Sequence, residues 1–201
     1  MNKDFHYFSS REYAFQKKFQ GFRDRLLRLV AKALTFFRIT PSMVTFTSFA
    51  SILFFAYFCL SKPWLALLLL VLHVVLDGVD GVLARATGKV GPAGALLDML
   101  NDHTGFVVVI ISLVFYALLD PVLGLVYLYL YTLLVFFLIY RNAALIPSTL
   151  TLRTKYFLYL VYALWALMGV DIFFVAVLLF TVLTAVSLLE NIFKVYFHLS
   201  K

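Results

Sequence analysis

Six stretches of roughly twenty apolar residues follow one another with short breaks, and they leave this chain one class of fold. Crossing the hydrocarbon core of a bilayer takes about 20 apolar residues of helix. Backbone N–H and C=O groups inside that core find no water, so each segment must satisfy its own, which selects helices. The stretches fall at 41–61, 64–86, 92–118, 121–142, 154–169 and 172–196, and Pro63, Pro92, Pro121 and Gly169 punctuate the breaks. Composition agrees, with 64% hydrophobic and 13% charged residues, where soluble domains are about half apolar. The expected fold is all-α and integral to the membrane: six transmembrane helices within 40–201, preceded by a cytoplasmic amphipathic interfacial segment over 1–39.

That leading segment places Phe15, Phe19, Phe22, Leu26, Leu29, Val30, Ala33 and Phe37 at spacings of three and four, with Lys17, Lys18, Arg25, Arg28 and Lys32 between them. A basic amphipathic helix of this kind lies in the headgroup layer. It also accounts for much of the net charge of +7, so the charge points to membrane lipid and no nucleic-acid partner is expected. With an even number of spans both termini share one side. That side receives sixteen Lys and Arg, whereas the opposite side receives Lys62 alone. Basic loops stay cytoplasmic, so the termini and the 86–92 and 142–153 loops are expected there. Tyr57, Trp64 and Trp165 fall near the outer span ends, as interfacial aromatics do. The lone Cys59 excludes an intrachain disulfide, and the polar first forty residues give no sign of a cleavable signal peptide.

Against this background four aspartates stand out. Asp77, Asp80, Asp98 and Asp102 are four of the ten acidic residues and all lie inside or at the ends of the second and third spans. A charged side chain at bilayer depth costs about 2.5–3.5 kcal/mol, so the set needs water or a counter-charge. Asp77, Asp80, Gly81, Ala84 and Arg85 are offset by 0, 3, 4, 7 and 8, one helical face; Gly94, Asp98 and Asp102, at 0, 4 and 8, form another. A short loop around Lys89 joins the two helices, so the acidic faces are expected to oppose each other as an antiparallel hairpin near the cytoplasmic end. Four carboxylates without His or Cys suit hard divalent cations, Mg²⁺ or Mn²⁺, and could balance two such ions. Two ions with Arg85, a fixed planar cation about 12 Å from Asp77 along the helix, suit chemistry at phosphorus.

The run Asp77-x2-Asp80-Gly81-x2-Ala84-Arg85-x8-Gly94-x3-Asp98-x3-Asp102 resembles the complete signature of the CDP-alcohol phosphatidyltransferases. Ile39 to Thr45 is similar to the Pro-Asn-x-x-Thr segment at the start of the family's first span, with Ser42 where Asn is common. The resemblance implies transfer of a phosphatidyl group from CDP-diacylglycerol, or a CDP-ether lipid, to the hydroxyl of a small polar alcohol, with release of CMP. Inositol, inositol phosphate and glycerol phosphate are the favoured acceptors. It implies Asp77, Asp80 and Asp98 as metal ligands, with Asp102 as a further ligand or the base on the acceptor. Asp80, Gly81, Ala84, Arg85, Gly94 and Thr45 would line the cytidine diphosphate site. It also implies a homodimer and favours a prokaryotic plasma membrane.

Arg141, Arg153 and Lys155 flank the loop after the fourth span and read either as topological anchors or as a pocket for the acceptor's phosphate. Thr40 and Pro41 read as the cap and first residue of a helix. His73, one turn before Asp77, could hydrogen-bond it, whereas His103 faces away from the acidic stripe and reads as structural. Two alternatives compete. A CDP-choline or CDP-ethanolamine phosphotransferase would be expected to carry His-Gly where Leu100-Asn101 stands. A divalent-cation transporter would have no use for Arg85 beside its carboxylates.

Overall fold

The computed structural model describes residues 27, 29–144, 146 and 154–200. Phe15, Phe19, Phe22 and Leu26 of the expected amphipathic segment, and Arg153, lie outside the described residues. Among those described, all regular structure is helical. Following a helical stretch over 29–36 come α1 (Pro41–Phe58), α2 (Pro63–Ala86), α3 (Pro92–Phe115), α4 (Pro121–Ala143), α5 (Lys155–Met168) and α6 (Phe173–Leu199). The first four open on proline, whose missing N–H is one that a first turn could not have paired. Thr40 caps α1 as expected, its hydroxyl accepting from Met43 N at 3.3 Å. Past the end of α2, Gly88 takes a left-handed φ of 68°, and Lys89 N turns back to Ala84 O at 2.9 Å. The third span ends at Phe115, short of the expected 118, because Ala117 turns left-handed with φ 57°.

Five of the six helices are long and apolar enough to cross a membrane. Leu68, Leu125, Phe174 and Leu189 point outward and exposed along them, the surface expected of helices in lipid. The bundle core gathers Ile52, Phe55, Leu70, Phe106, Ile110 and Leu113 around Tyr162, whose hydroxyl donates to Cys59 O at 2.8 Å. Trp64 and Tyr57 are exposed, while Trp165 packs between Tyr162 and Phe173.

Two features of the packing differ from expectation, the first in the hairpin of spans two and three. The helices α2 and α3 touch sparsely, and α1 packs extensively along α2 and also against α3. Close approach is confined to points such as Gly105 on α3, where an added Cβ would stand 2.6 Å from His73 Nε2. His73 is buried and tied to Ser48 of α1, so it cannot easily retreat. Gly105→Ala is therefore expected to cost about 1–3 kcal/mol of stability, measured as a lower thermal unfolding midpoint in detergent. An unchanged midpoint would show that the ring has room to move.

The second difference concerns α5. Its 14 residues span about 21 Å, less than the roughly 30 Å hydrocarbon core. Thr154, immediately before it, is fully buried; it accepts from Tyr127 Oη at 2.7 Å and meets Thr184 Oγ1 at 3.2 Å. Tyr127 and Thr184 lie about 22–24 Å before the C-terminal ends of α4 and α6 at 1.5 Å per residue. The expected span 154–169 thus has its bounds nearly right, but it starts deep inside the bundle.

Candidate active site

A cavity of about 520 Å³ opens where the start of α1, the end of α2, the 89–91 loop and the start of α3 meet. Thr40, Pro41, Ser42 and Thr45 form one wall; Asp80, Gly81, Ala84 and Arg85 form the second; Gly94, Leu97 and Asp98 form the third. Seven of the expected site residues therefore share one space, of a size that suits a small-molecule ligand. At Gly94 an added Cβ would meet no atom within 4 Å, so the glycine borders open volume rather than a packed neighbour.

Each aspartate has its own setting. Asp80 is 4% exposed and accepts from the Thr45 hydroxyl at 2.7 Å, which places α1 directly in the site. Asp77 is half-buried and accepts from Asn101 Nδ2 at 3.3 Å. Asp98 is exposed at the cavity. Asp102, about 15 Å into α3, pairs with the ammonium of Lys155. Lys155 is 2% exposed and also feels the charges of Asp77 and Asp98.

Among the described residues no three His, Cys, Asp or Glu side chains converge closely enough to share one ion. Asp80 and Asp98 line the cavity, while Asp80, Asp77 and Asp102 are each met by a residue of a different helix, Thr45 of α1, Asn101 of α3 and Lys155 of α5. The chemistry of the four carboxylates still fits hard divalent cations: every donor is an anionic oxygen, and a hydroxyl and an amide hold two of them in place.

The basic residues that flank the loop between α4 and α5 part company. Arg141 is buried, its Nη1 donating to Asn191 Oδ1 of α6, while Lys155 turns to α3. Lys155 is no headgroup anchor, because the deep start of α5 carries it to the acidic stripe. His73 does not bond Asp77; its Nδ1 lies 2.8 Å from Ser48 Oγ and 3.2 Å from Ser48 O, since α1 covers that side of α2. His103 faces α4, with Nε2 3.3 Å from Thr132 Oγ1, as its place off the acidic stripe suggested. Sequence reasoning missed Asn101 and Ser48. The available signal was an amide three residues after Asp98 in an otherwise apolar helix.

An apolar helical bundle that opens at one end on a cavity walled by carboxylates, an arginine and small residues is a multi-pass membrane protein, and its site has the chemistry to hold cations and anions together. The chain belongs to the CDP-alcohol phosphatidyltransferase family, whose model matches residues 30–189. It is 40% identical over 78 residues to an archaetidylinositol phosphate synthase of Pyrococcus horikoshii, covering 38% of this chain and 42% of that protein. It is 48% identical over 42 residues to one from Aeropyrum pernix, covering 21% of this chain and 22% of the relative. The matches thus span less than half the length of either relative. The fold resembles that of Mycobacterium tuberculosis phosphatidylinositol phosphate synthase solved with CDP-DAG bound, with a TM-score of 0.71 at 18% identity over 86% of this chain and 94% of the other. The same enzyme solved with manganese and citrate gives 0.70 at 17% identity, over 83% and 87%.

Proposed function

We propose that this protein transfers a phosphatidyl-type group from CDP-diacylglycerol or a CDP-ether lipid to the hydroxyl of a small polar alcohol, releasing CMP. Inositol phosphate is the favoured acceptor. The observation that carries the reading is the gathering of Asp80, Gly81, Ala84, Arg85, Gly94 and Asp98 of the signature around one 520 Å³ cavity, with Thr45 bonded to Asp80. The acceptor follows from the relatives, whose names join an inositol phosphate to a lipid.

In this reading Asp77, Asp80 and Asp98 hold Mg²⁺ or Mn²⁺, with Asp102 as a further ligand. Two such ions supply positive charge against the diphosphate and the departing CMP oxygens. Arg85 grips a phosphate of the CDP group from the α2 wall, with the planar donor fork that such anions match. Gly81, Ala84 and Gly94 keep the walls low enough for the nucleotide to approach the backbone. Thr45 fixes the carboxylate of Asp80. Asp102 takes the proton of the acceptor hydroxyl, whose oxygen forms a bond to the lipid-bearing phosphorus as the bond to CMP breaks. Correct placement supplies much of the rate.

Lys155 already neutralises Asp102, and the phosphate of an incoming acceptor competes for the same ammonium. Binding there would loosen Lys155 from the carboxylate that has to accept a proton. Lys155 is thus the acceptor-phosphate candidate kept in this reading, since Arg141 turns to Asn191 of α6 and Arg153 lies outside the described residues. Even with Lys155 set aside, fifteen basic residues against one support a reading in which the site and both termini face the cytoplasm.

The test is CMP release from purified protein given CDP-diacylglycerol or its ether analogue, Mg²⁺ or Mn²⁺, and a panel of inositol phosphate, inositol, glycerol phosphate and serine. Release is expected with inositol phosphate above the others. It should fall to background on chelation with EDTA and return with added Mg²⁺ or Mn²⁺. Release that is indifferent to chelation, or absent with every acceptor, defeats the proposal.

A further inference from the structure

Asn101 sits in α3 between Asp98 and Asp102, turned about 60° from the acidic stripe because three residues fall short of a full turn. That rotation aims it at α1 and α2. Its side chain is 6% exposed, and its Nδ2 lies 3.3 Å from Asp77 Oδ1 and 3.3 Å from Ser48 Oγ. A carboxylate only accepts hydrogen bonds, so the NH₂ end of the amide must face Asp77. The Oδ1 end is buried and meets no donor, a cost that packed interiors avoid. A leucine would fill this place without that cost, so the amide's role lies in the two hydrogens it donates.

Ser48, the second acceptor, is itself pinned. It is fully buried, and its hydroxyl lies 2.8 Å from His73 Nδ1 and 3.1 Å from His73 O. The His73 ring rests on Gly105 of α3. One residue from each of α1, α2 and α3 therefore closes a polar tie in the apolar interior, and Asn101 is the member that extends it to Asp77.

We infer that Asn101 is a positioning residue for Asp77: it commits one carboxylate oxygen to the three-helix tie and so fixes the direction in which Asp77 presents itself to a divalent cation. The inference rests on the reading that Asp77 holds such an ion. Groups that orient a ligand from behind typically tune metal affinity by 10–100-fold.

The experiment is Mn²⁺ titration of the purified full-length protein without lipid substrate, following free Mn²⁺ by EPR. Asn101→Ala is expected to weaken Mn²⁺ binding about tenfold. In an Asp77→Asn background the same change should add less than about twofold, because residues acting through one another are not additive. A merely structural role would lower the unfolding midpoint while leaving the Mn²⁺ affinity of the folded protein unchanged. Affinity within twofold of the parent, or an equal loss in both backgrounds, overturns the inference. If Asn101→Ala does not fold, Ser48→Ala decides: it leaves the amide one partner, and an affinity loss of roughly threefold is expected, with no loss overturning the claim. Should Asp77→Asn itself leave Mn²⁺ binding intact, the metal assignment of Asp77 fails with it; if only the Asn101 arm is silent, the assignment stands and the positioning role falls.

Discussion

Asp102→Asn is expected to reduce CMP release by at least about 10³-fold, since a positioned general base contributes roughly 10²–10⁴ and this residue is also a proposed ion ligand. The substitution keeps the shape of the side chain and removes its charge and basicity. It also strands the Lys155 ammonium, which is 2% exposed and paired with Asp102. Removing one partner of a buried ion pair costs about 3–5 kcal/mol. Because the Asp102 side chain retains 31% exposure, the lower part of that range is expected. Stability and activity can then be separated. The double variant Asp102→Asn with Lys155→Met should recover most of the lost unfolding midpoint and none of the activity. Retention of CMP release within tenfold of the parent in Asp102→Asn would remove this residue from the chemistry. Recovery of activity in the double variant would show that the pair matters for folding alone.

Arg85→Ala should raise the KM for the CDP-lipid by about 10–100-fold, the loss that follows when a charge-assisted hydrogen bond worth about 1.5–3 kcal/mol is deleted. Mn²⁺ affinity, measured without lipid, should change little. The reason is positional: Arg85 lines the cavity beside Gly81 and Ala84, two turns beyond Asp77 along α2 and nearer the open end. Lysine at this position should recover only part of the loss, because it offers a point charge in place of a planar fork. Equal losses of lipid and metal binding would mean that Arg85 supports the helix end and does not recognise a phosphate.

The limits of sequence reasoning are visible at particular residues. Thr40, Pro41 and the prolines that open α2, α3 and α4 announced the helix starts, because capping and the missing proline N–H are local effects. The aspartates, glycines and Arg85 could be placed on their helical faces from spacing alone. The partner of each face could not. Asp80 meets Thr45, 35 positions earlier, and Lys155 reaches Asp102 from 53 positions later. Periodicity says which residues share a side of a helix and is silent about which helix covers that side. His73 shows the same limit, since its ring turns to Ser48 of α1 rather than to the aspartate one turn away.

Hydropathy and the aspartate signature by themselves determined a helical membrane bundle with an acidic, oxygen-donor site between its second and third spans, because bilayer length, backbone satisfaction and helical period are local constraints. The tertiary structure decided how that site is furnished. It laid α1 against α2 and α3, which brought Thr45 to Asp80 and Ser48 to His73 and Asn101, and it started α5 deep enough for Lys155 to become a counter-ion to Asp102. Those outcomes depend on how α1 to α6 pack side by side, and in a chain whose helix faces are nearly all apolar the pattern of apolar residues does not specify that packing.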